Sequence, residues 1–375
     1  MITSQGAAGP LSGVRVLEFA SIGPGPFCAM LLSDLGADVV RIERPDGVGG
    51  TGPNAVLQRG RRVLTLDLKQ AADVAMAREA ARCADVLIEG GRPGVMERLG
   101  LGPTELCASN ERLIYARMTG FGQSGPLAEM AGHDINYLAI TGVLELISVP
   151  GAPPRAPLNL LGDFGGGALY LAFGIAAALH ERAQSGRGQV IDAAIIDGAA
   201  SLAGMMIGAF QTGSLSPRHD ANVLAGACPF YRCYACSDGL YIAVGALEPK
   251  FYRAFMTAMG LDDYLTRPQR DPAHWPELTA KLEALFASRP RAEWLAVLEP
   301  LDACINAVLS LNESFADPHI AARETYASVG AAMQPAPAPR FSRTPGAVQA
   351  PLGQHPESGA AALQRWGVEG LKGKS

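Results

Sequence analysis

The first 120 residues alternate short apolar runs with helix-like segments, and this alternation constrains the fold more than any other feature of the chain. Short runs rich in Val, Ile and Leu predict strands, and the segments between them have the apolar spacing of helices. The predicted strands are residues 14–19, 38–42, 63–68, 85–88, 113–118 and 190–193. A helix over residues 27–35, ended by Gly36, joins the first two strands. Strands spaced by helices predict a mostly parallel, Rossmann-like sheet covered on both faces.

The pattern of predicted strands and helices changes after Gly213. Before it, two longer helices are predicted, over residues 133–146 and 167–184. After it, residues 231–235 and 241–244 predict a hairpin, followed by helical stretches at about 249–259, 276–287 and 291–298. We therefore predict a large Rossmann-like domain (1–200), a linker helix (201–228), a small α+β domain (229–325), and a segment (326–375) that returns to the large domain through a proline-spaced connector at 334–339.

The net charge and the cysteine content of the chain limit the binding partners and the cellular compartment that can be expected. The formal net charge of −5 provides no broad basic field, so a nucleic-acid partner is not expected. The longest uncharged run, residues 198–217, is diluted by polar residues and glycines, which predicts a buried helix and no membrane span. Seven scattered cysteines and no secretory segment at the start favour a reducing cytoplasm. Cys228, Cys233 and Cys236 are predicted to be structural thiols and not a metal site, because a three-residue spacing on a strand puts the last two on opposite faces.

The turn from Gly23 to Pro26 follows the first strand and resembles a dinucleotide fingerprint, with Glu43 twenty residues further on. Two details argue against a nicotinamide cofactor: Cys28 occupies the third glycine position, and the prolines lack the N–H groups that a pyrophosphate needs. What remains is a tight turn next to Arg41 and Arg44. Those two cations suit either a phosphate or a solvated strand end.

Two short motifs carry candidate chemistry. Gly132-His133-Asp134-Ile135-Asn136 puts an imidazole at a helix start, and the stretch from Gly162 to Gly167 puts Asp163 before three glycines and an apolar helix. Alone, each has a simple structural explanation, a structural histidine and a helix cap. The glycines let backbone N–H groups approach a ligand closely, and a helix N-terminus favours an oxyanion. A base, an acid and an oxyanion site would suit enolisation.

These motifs resemble those of the α-methylacyl-CoA racemases, a group within the family III CoA-transferases. The resemblance runs from about residue 10 to 345 and is carried by PLSGVRVLEFASIGPGP, LGADVVRIERP, ADVLIEGGRPGVMERLGLGP, LIYARMTGFGQSGP, AGHDINYLAITGV, PLNLLGDFGGG, GRGQVIDAAIIDG and YIAVGALEPKFY. It implies inversion of the carbon α to the thioester carbonyl of 2-methylacyl-CoA substrates. It also implies an interlocked homodimer with the active site at the subunit interface. No metal or redox cofactor is expected, because coenzyme A is part of the substrate and the thioester itself acidifies the proton.

The resemblance also assigns residues. It implies that His133 and Asp163 are the acid/base pair and that Glu248 is associated with the histidine. The residues implied to contact coenzyme A are Arg44, Leu66, Asp67, Leu68, Lys69, Gly90, Gly91, Arg92, Arg98, Gly132, Asp134, Ile135, Asn136 and Tyr137.

The transferases of the same family are the main alternative. They use an aspartate at the Asp163 position as a nucleophile, generally lack the histidine of GHDIN, and carry a glycine-rich loop in the small domain that is not found here. His133 therefore favours the racemase, and an idle acyl-CoA-binding protein is a third possibility. Gly91, Phe27 and Cys228 depart from the usual pattern and bear on the shape of the pocket.

Overall fold

The computed structural model describes residues 9–47, 52–148, 152–216, 222–330 and 332–371. The first eight residues, where a leader would lie, are outside this range. The chain forms two compact units. The first comprises residues 1–143, 156–204 and 325–375, and the second comprises residues 144–155 and 205–324.

Fifteen α-helices lie in the described part of the chain. They are α1 (Pro24–Asp34), α2 (Ala71–Cys83), α3 (Val95–Arg98), α4 (Pro103–Ser109), α5 (Asp134–Ile140), α6 (Val143–Leu146), α7 (Leu169–Ser185), α8 (Ile195–Leu202), α9 (Gly204–Gln211), α10 (Pro249–Ala258), α11 (Trp275–Phe286), α12 (Arg291–Leu298), α13 (Leu311–Ala316), α14 (Pro318–Ala322) and α15 (Gly359–Trp366). Short 3₁₀ helices span Gly52–Gln58, Val223–Ala225, Asp262–Thr266 and Pro272–His274, and a π-helical segment spans Leu160–Ala168.

A six-stranded sheet organises the first unit. Its strands are β1 (Arg15–Phe19), β2 (Asp38–Glu43), β3 (Arg61–Thr65), β4 (Val86–Glu89), β5 (Ile114–Thr119) and β6 (Val190–Ala194). All neighbours pair in parallel, in the order β3-β2-β1-β4-β5-β6, so the predicted α/β Rossmann-like sheet is confirmed.

Successive residues of the central strands pack into different cores. Val16 and Ile114 join one apolar cluster, whereas their neighbours Leu17 and Tyr115 join another. Because side chains alternate across a strand, the sheet buries both faces, which explains why these strands read as continuous apolar runs. Helix α15 completes one of these clusters with Trp366 and returns residues near the C-terminus to the first unit.

The second unit contains an antiparallel sheet of β7 (Tyr231–Ala235), β8 (Tyr241–Gly245) and β9 (Ile305–Val308). The predicted hairpin and the three predicted helices are present, whereas β9 was not predicted. Cys228 and Cys236 are buried in this unit's core, and Cys233 on β7 is exposed. A separate hairpin, β10 (Tyr326–Val329) and β11 (Ala332–Pro335), belongs to the first unit, so the predicted connector begins as a strand.

The prediction of a buried helix over residues 198–217 is confirmed for the end of α8, where Gly198 and Ala199 are buried, and is wrong for α9. This stretch forms the end of α8 and all of α9, and none of the described side chains of α9 is buried. Met205 and Phe210 are 65% and 71% exposed. The composition of this stretch predicted an apolar helix, but composition does not show whether another part of the protein covers that helix.

One helix in the described part of the chain, from Leu160 to Ser185, is long and apolar enough to cross a membrane by length and composition alone.

Candidate active site

A cavity of about 490 Å³ opens at the carboxyl edge of the six-stranded sheet. The turn after β1, from Ser21 to Gly25, forms one wall, and the turn after β4, from Gly90 to Pro93, forms another. The strand order reverses between β1 and β4, and ligands of open parallel sheets bind at this position.

His133 lies on the cavity wall at the start of α5 and is exposed. Its backbone N–H donates to Asn136 Oδ1 at 3.0 Å, which stabilises the first turn of the helix. Tyr137 is buried behind it, and its hydroxyl donates to the Gly132 carbonyl. The GHDIN motif therefore forms a capped helix start that presents its imidazole to the cavity.

Asp163 lies on the same cavity wall, within the π-helical segment Leu160–Ala168. The prediction of a carboxylate in front of the helix was wrong, because the helical segment begins three residues earlier and Asn159 is its N-cap. The left-handed Gly23 approaches the carboxylate so closely that an added Cβ would lie 3.2 Å from Asp163 Oδ2.

The environment of Asp163 favours its protonated form. Burial, followed by the negative charge of Asp134, raises its pKa from the ordinary 3.8 to about 6. The imidazole of His133 and a hydrogen bond with Asn159 act in the opposite direction, but they do not cancel these effects. Asp163 can therefore exchange a proton close to neutral pH.

Asp134 faces the protein and not the cavity. It is 8% exposed, and its Oδ1 accepts the backbone N–H of Asp163 at 2.6 Å. The Gly162 N–H donates to the same carboxylate. The first-turn N–H groups that the glycine-rich motif seemed to offer to an oxyanion are thus bound by Asp134.

The cavity brings together about half of the residues implied to contact the substrate. On its wall, besides His133 and Asp163, are Gly90, Gly91, Arg92, Gly132, Asn136 and Tyr137. Outside its wall are Arg44, Leu66, Asp67, Leu68, Lys69, Arg98, Asp134 and Ile135.

The residues outside the cavity differ in how they could meet a ligand. Arg44 and Lys69 are exposed just beyond the carboxyl ends of β2 and β3, and Arg98 is exposed in the same unit. Leu66 is fully buried, and its N–H donates to the Glu43 carbonyl, so its side chain is part of the core. Asp67 accepts the N–H of Lys69 at 3.1 Å within a local turn.

Arg41 is not available to a phosphate. It is 2% exposed and pairs with Glu18 at 2.7 Å and Glu43 at 2.9 Å. Of the two cations next to the Gly23–Pro26 turn, Arg44 alone is exposed.

Glu248 belongs to the second unit, where it is exposed and is the N-cap of α10. Of the residues that depart from the family pattern, Gly91 lies on the cavity wall, and Phe27 packs its ring 4.4 Å from that of Phe164, next to Asp163.

Sequence reasoning missed several residues of the cavity wall, including Ser21, Met118, Thr119, Phe121 and Met130. Ser21 is the most informative, because its hydroxyl is buried without a hydrogen-bond partner among the described residues. The available signal was its place directly after β1, at the carboxyl edge of the sheet.

Among the described residues, no group of three His, Cys, Asp or Glu side chains could hold a metal ion.

Comparison with known proteins identifies the family of the chain. The profile of CoA-transferase family III matches residues 11–359. The α-methylacyl-CoA racemase of Mus musculus is 46% identical over 89% of this chain and 87% of its own length. The human enzyme of the same name is 44% identical over the same shares of the two chains. The crystal structure of a CAIB/BAIF family protein from Brucella suis has a TM-score of 0.82 and 28% identity, and the match covers 96% of this chain and all of that one. The chain belongs to CoA-transferase family III.

Proposed function

We propose that this protein is an α-methylacyl-CoA racemase that inverts the carbon α to the thioester carbonyl of 2-methylacyl-CoA. The observation that carries the proposal is the presence of His133 and Asp163 on the wall of one cavity at the switch point of the sheet. The similarity to racemases at 44–46% identity supports the same activity.

Inversion by proton exchange requires a base on one face of the α-carbon and an acid on the other. In our proposal His133 and Asp163 occupy these two positions and exchange roles with the configuration of the substrate. Each well-placed acid or base contributes about 10² to 10⁴ in rate. The thioester acidifies the α-proton, so the proposed steps need no metal or redox cofactor.

The raised pKa of Asp163 supports this assignment. An aspartate with an ordinary pKa would be a weak base and would rarely be protonated at neutral pH, whereas one near 6 can both accept and return the proton. This suits a racemase, which must work in both directions.

The thioester oxygen gains negative charge as the enolate forms. The N–H groups of Gly162 and Asp163 are bound by Asp134. Ser21 lines the cavity, and its hydroxyl has no partner among the described residues; in our proposal the hydroxyl rotates toward the cavity and donates to the bound thioester.

Coenzyme A would enter along the carboxyl edge of the sheet. Arg92 reaches the cavity, and the exposed Arg44, Lys69 and Arg98 are available to its phosphates. Because the chain has a net charge of −5, a polyanionic ligand must be bound by individual cations close to its phosphates, such as these.

We further propose a homodimer in which Glu248 of one subunit orients His133 of the other. Apolar side chains left exposed in each unit support this assembly. In the second unit they include Met205 and Phe210, and in the first Leu158 and Phe173, both 73% exposed. The seven unpaired cysteines fit a reducing compartment, and we place the enzyme in the cytoplasm.

The proposal can be tested with a resolved 2-methylacyl-CoA in deuterated water. A racemase incorporates deuterium at the α-carbon and scrambles the configuration without a second substrate. A family III transferase, with Asp163 as its nucleophile, does neither under any condition, and it consumes the thioester only when an acceptor acid is added to receive coenzyme A. A protein that only binds acyl-CoA leaves the thioester unchanged, and either of these two results would refute the racemase assignment.

A further inference from the structure

Asp134 directly follows the proposed catalytic histidine in sequence, but its side chain points elsewhere. His133 reaches the cavity, whereas Asp134 is 8% exposed and lies outside the cavity wall. Burial of a carboxylate is costly unless its oxygens are hydrogen-bonded. The place of Asp134 in the fold therefore requires a function other than direct contact with coenzyme A.

The partners of Asp134 lie in the first turn of the segment that carries Asp163. Its Oδ1 accepts the Asp163 N–H at 2.6 Å, and the carboxylate also receives the Gly162 N–H. The approach is so close that a Cβ at Gly162 would lie 2.3 Å from Asp134 Oδ1. Only glycine at this position leaves room for the carboxylate.

We infer that Asp134 is a positioning residue for the proposed reaction, whose carboxylate anchors the first turn around Asp163 and places a negative charge beside the Asp163 carboxyl group. This inference rests on the proposed function insofar as Asp163 exchanges a proton with substrate. The anchoring itself is independent of it.

Asp134 and Asp163 affect each other electrostatically. Two nearby carboxyl groups do not easily ionise together, so the charge of Asp134 raises the pKa of Asp163, with burial as the larger cause. Burial raises the pKa of Asp134 as well. His133 lowers the pKa of Asp163.

Other titratable and charged groups surround this pair. The charges of Asp163, Arg92 and Asp134 all act on the pKa of Tyr137. Arg92 lies on the cavity wall. The helices packed against the Asp163 segment contribute buried Cys28 from α1 and exposed Asp197 from α8.

The test compares Asp134→Asn with the unmodified protein. Asparagine keeps an oxygen for the two N–H groups but removes the charge, so the pKa of Asp163 should fall from about 6 toward its ordinary 3.8. The acid limb of the kcat/KM profile should then move to lower pH, while KM for the acyl-CoA stays within about twofold. Asp197→Asn removes an exposed carboxylate from a helix packed on the same segment and is the matched control, with no shift expected.

A second readout does not depend on turnover. The titration of the Asp163 carboxyl carbon can be followed by ¹³C NMR in protein labelled at aspartate, with the Asp163→Asn spectrum providing the assignment. An unchanged Asp163 titration in folded Asp134→Asn would overturn the inference, even if the protein racemises its substrate. A large rise in KM without a pH shift would also overturn it, because it would make Asp134 a ligand contact. A shifted titration in a protein without racemase activity would support the electrostatic effect of Asp134 on Asp163 and refute the proposed function alone.

Discussion

The contact between Gly198 of α8 and Gly166 of the π-helical segment leads to a sharp prediction. A Cβ on residue 198 would lie 1.8 Å from the Gly166 carbonyl oxygen, whereas ordinary contact begins at 3.4 Å. Backbone forms both sides of the contact, so no side chain can rotate away. Gly198→Ala must therefore move α8 and the segment apart by about 1.6 Å, and Asp163 lies only three residues before Gly166.

We expect Gly198→Ala to cost about 3 kcal/mol, at the upper end of the range for overpacking. With an unfolding entropy of about 2.1 cal/mol/K per residue, that lowers the Tm of a chain of 375 residues by about 4 °C. A displacement of about 1 Å at a reacting group can reduce the rate about 100-fold, so turnover should fall at least that far.

Thermal melting and turnover of a resolved 2-methylacyl-CoA measure the two effects. Gly174→Ala is the control: it lies in α7, and its added Cβ would lie 3.4 Å from the nearest atom, an ordinary contact with Ile191 of the same unit, so it should leave both unchanged or slightly raise Tm. A Gly198→Ala protein that melts and turns over like the unmodified one would refute the packing argument.

Three further predictions follow from single contacts or charges. Because burial and Asp134 raise the pKa of Asp163 to about 6, kcat/KM should decline as the pH falls through about 6. Initial rates over a pH series measure this decline. Full activity that persists to pH 4 would contradict the prediction. Arg92→Glu should weaken coenzyme A binding about tenfold at low salt and less at high salt, as measured by calorimetry. The control is Arg187→Glu at the amino end of β6, which should not weaken binding. Equal losses of affinity in the two variants would refute a local contact between Arg92 and coenzyme A. The Nε of the buried Arg59 guanidinium donates to Asp34 at 3.0 Å, and Asp34→Asn removes the charge partner of this guanidinium. The substitution should lower the free energy of unfolding by about 3 to 5 kcal/mol, as measured with denaturant. A cost below about 1 kcal/mol would show that the pair is dispensable.

The strands of the first unit could be predicted because their signals are local. A run such as residues 14–19 is apolar on both faces, and the helix-like segments between the runs require parallel pairing. The hairpin of the second unit was predicted for a similar reason, since its turn residues lie between two alternating runs.

Features that depend on tertiary contacts could not be predicted. The helix expected over residues 133–146 breaks into α5 and α6 at Gly142, which has a φ of 78°. The π-helical geometry around Asp163 and the inward turn of Asp134 arise from packing between segments that are distant in sequence. Periodicity identified the apolar character of α9 but could not show that its side chains are exposed.

The candidate site divides in the same way. His133 and Asp163 were assigned through the resemblance to a known family, and the fold places both on one cavity wall. Ser21 had no motif of its own, and its relevance depends on where β1 ends.

The two-base mechanism is tested most directly by isotope exchange in single-base variants. His133→Ala and Asp163→Asn are each incubated in deuterated water with the separate enantiomers of a 2-methylacyl-CoA, and deuterium incorporation and configuration are measured independently. We predict that both variants lose inversion at least 100-fold, and that each still exchanges the α-proton of one enantiomer, the opposite one in the two cases. If either variant inverts both enantiomers at near-normal rates, or if both variants exchange the same enantiomer, His133 and Asp163 do not act on opposite faces of the substrate.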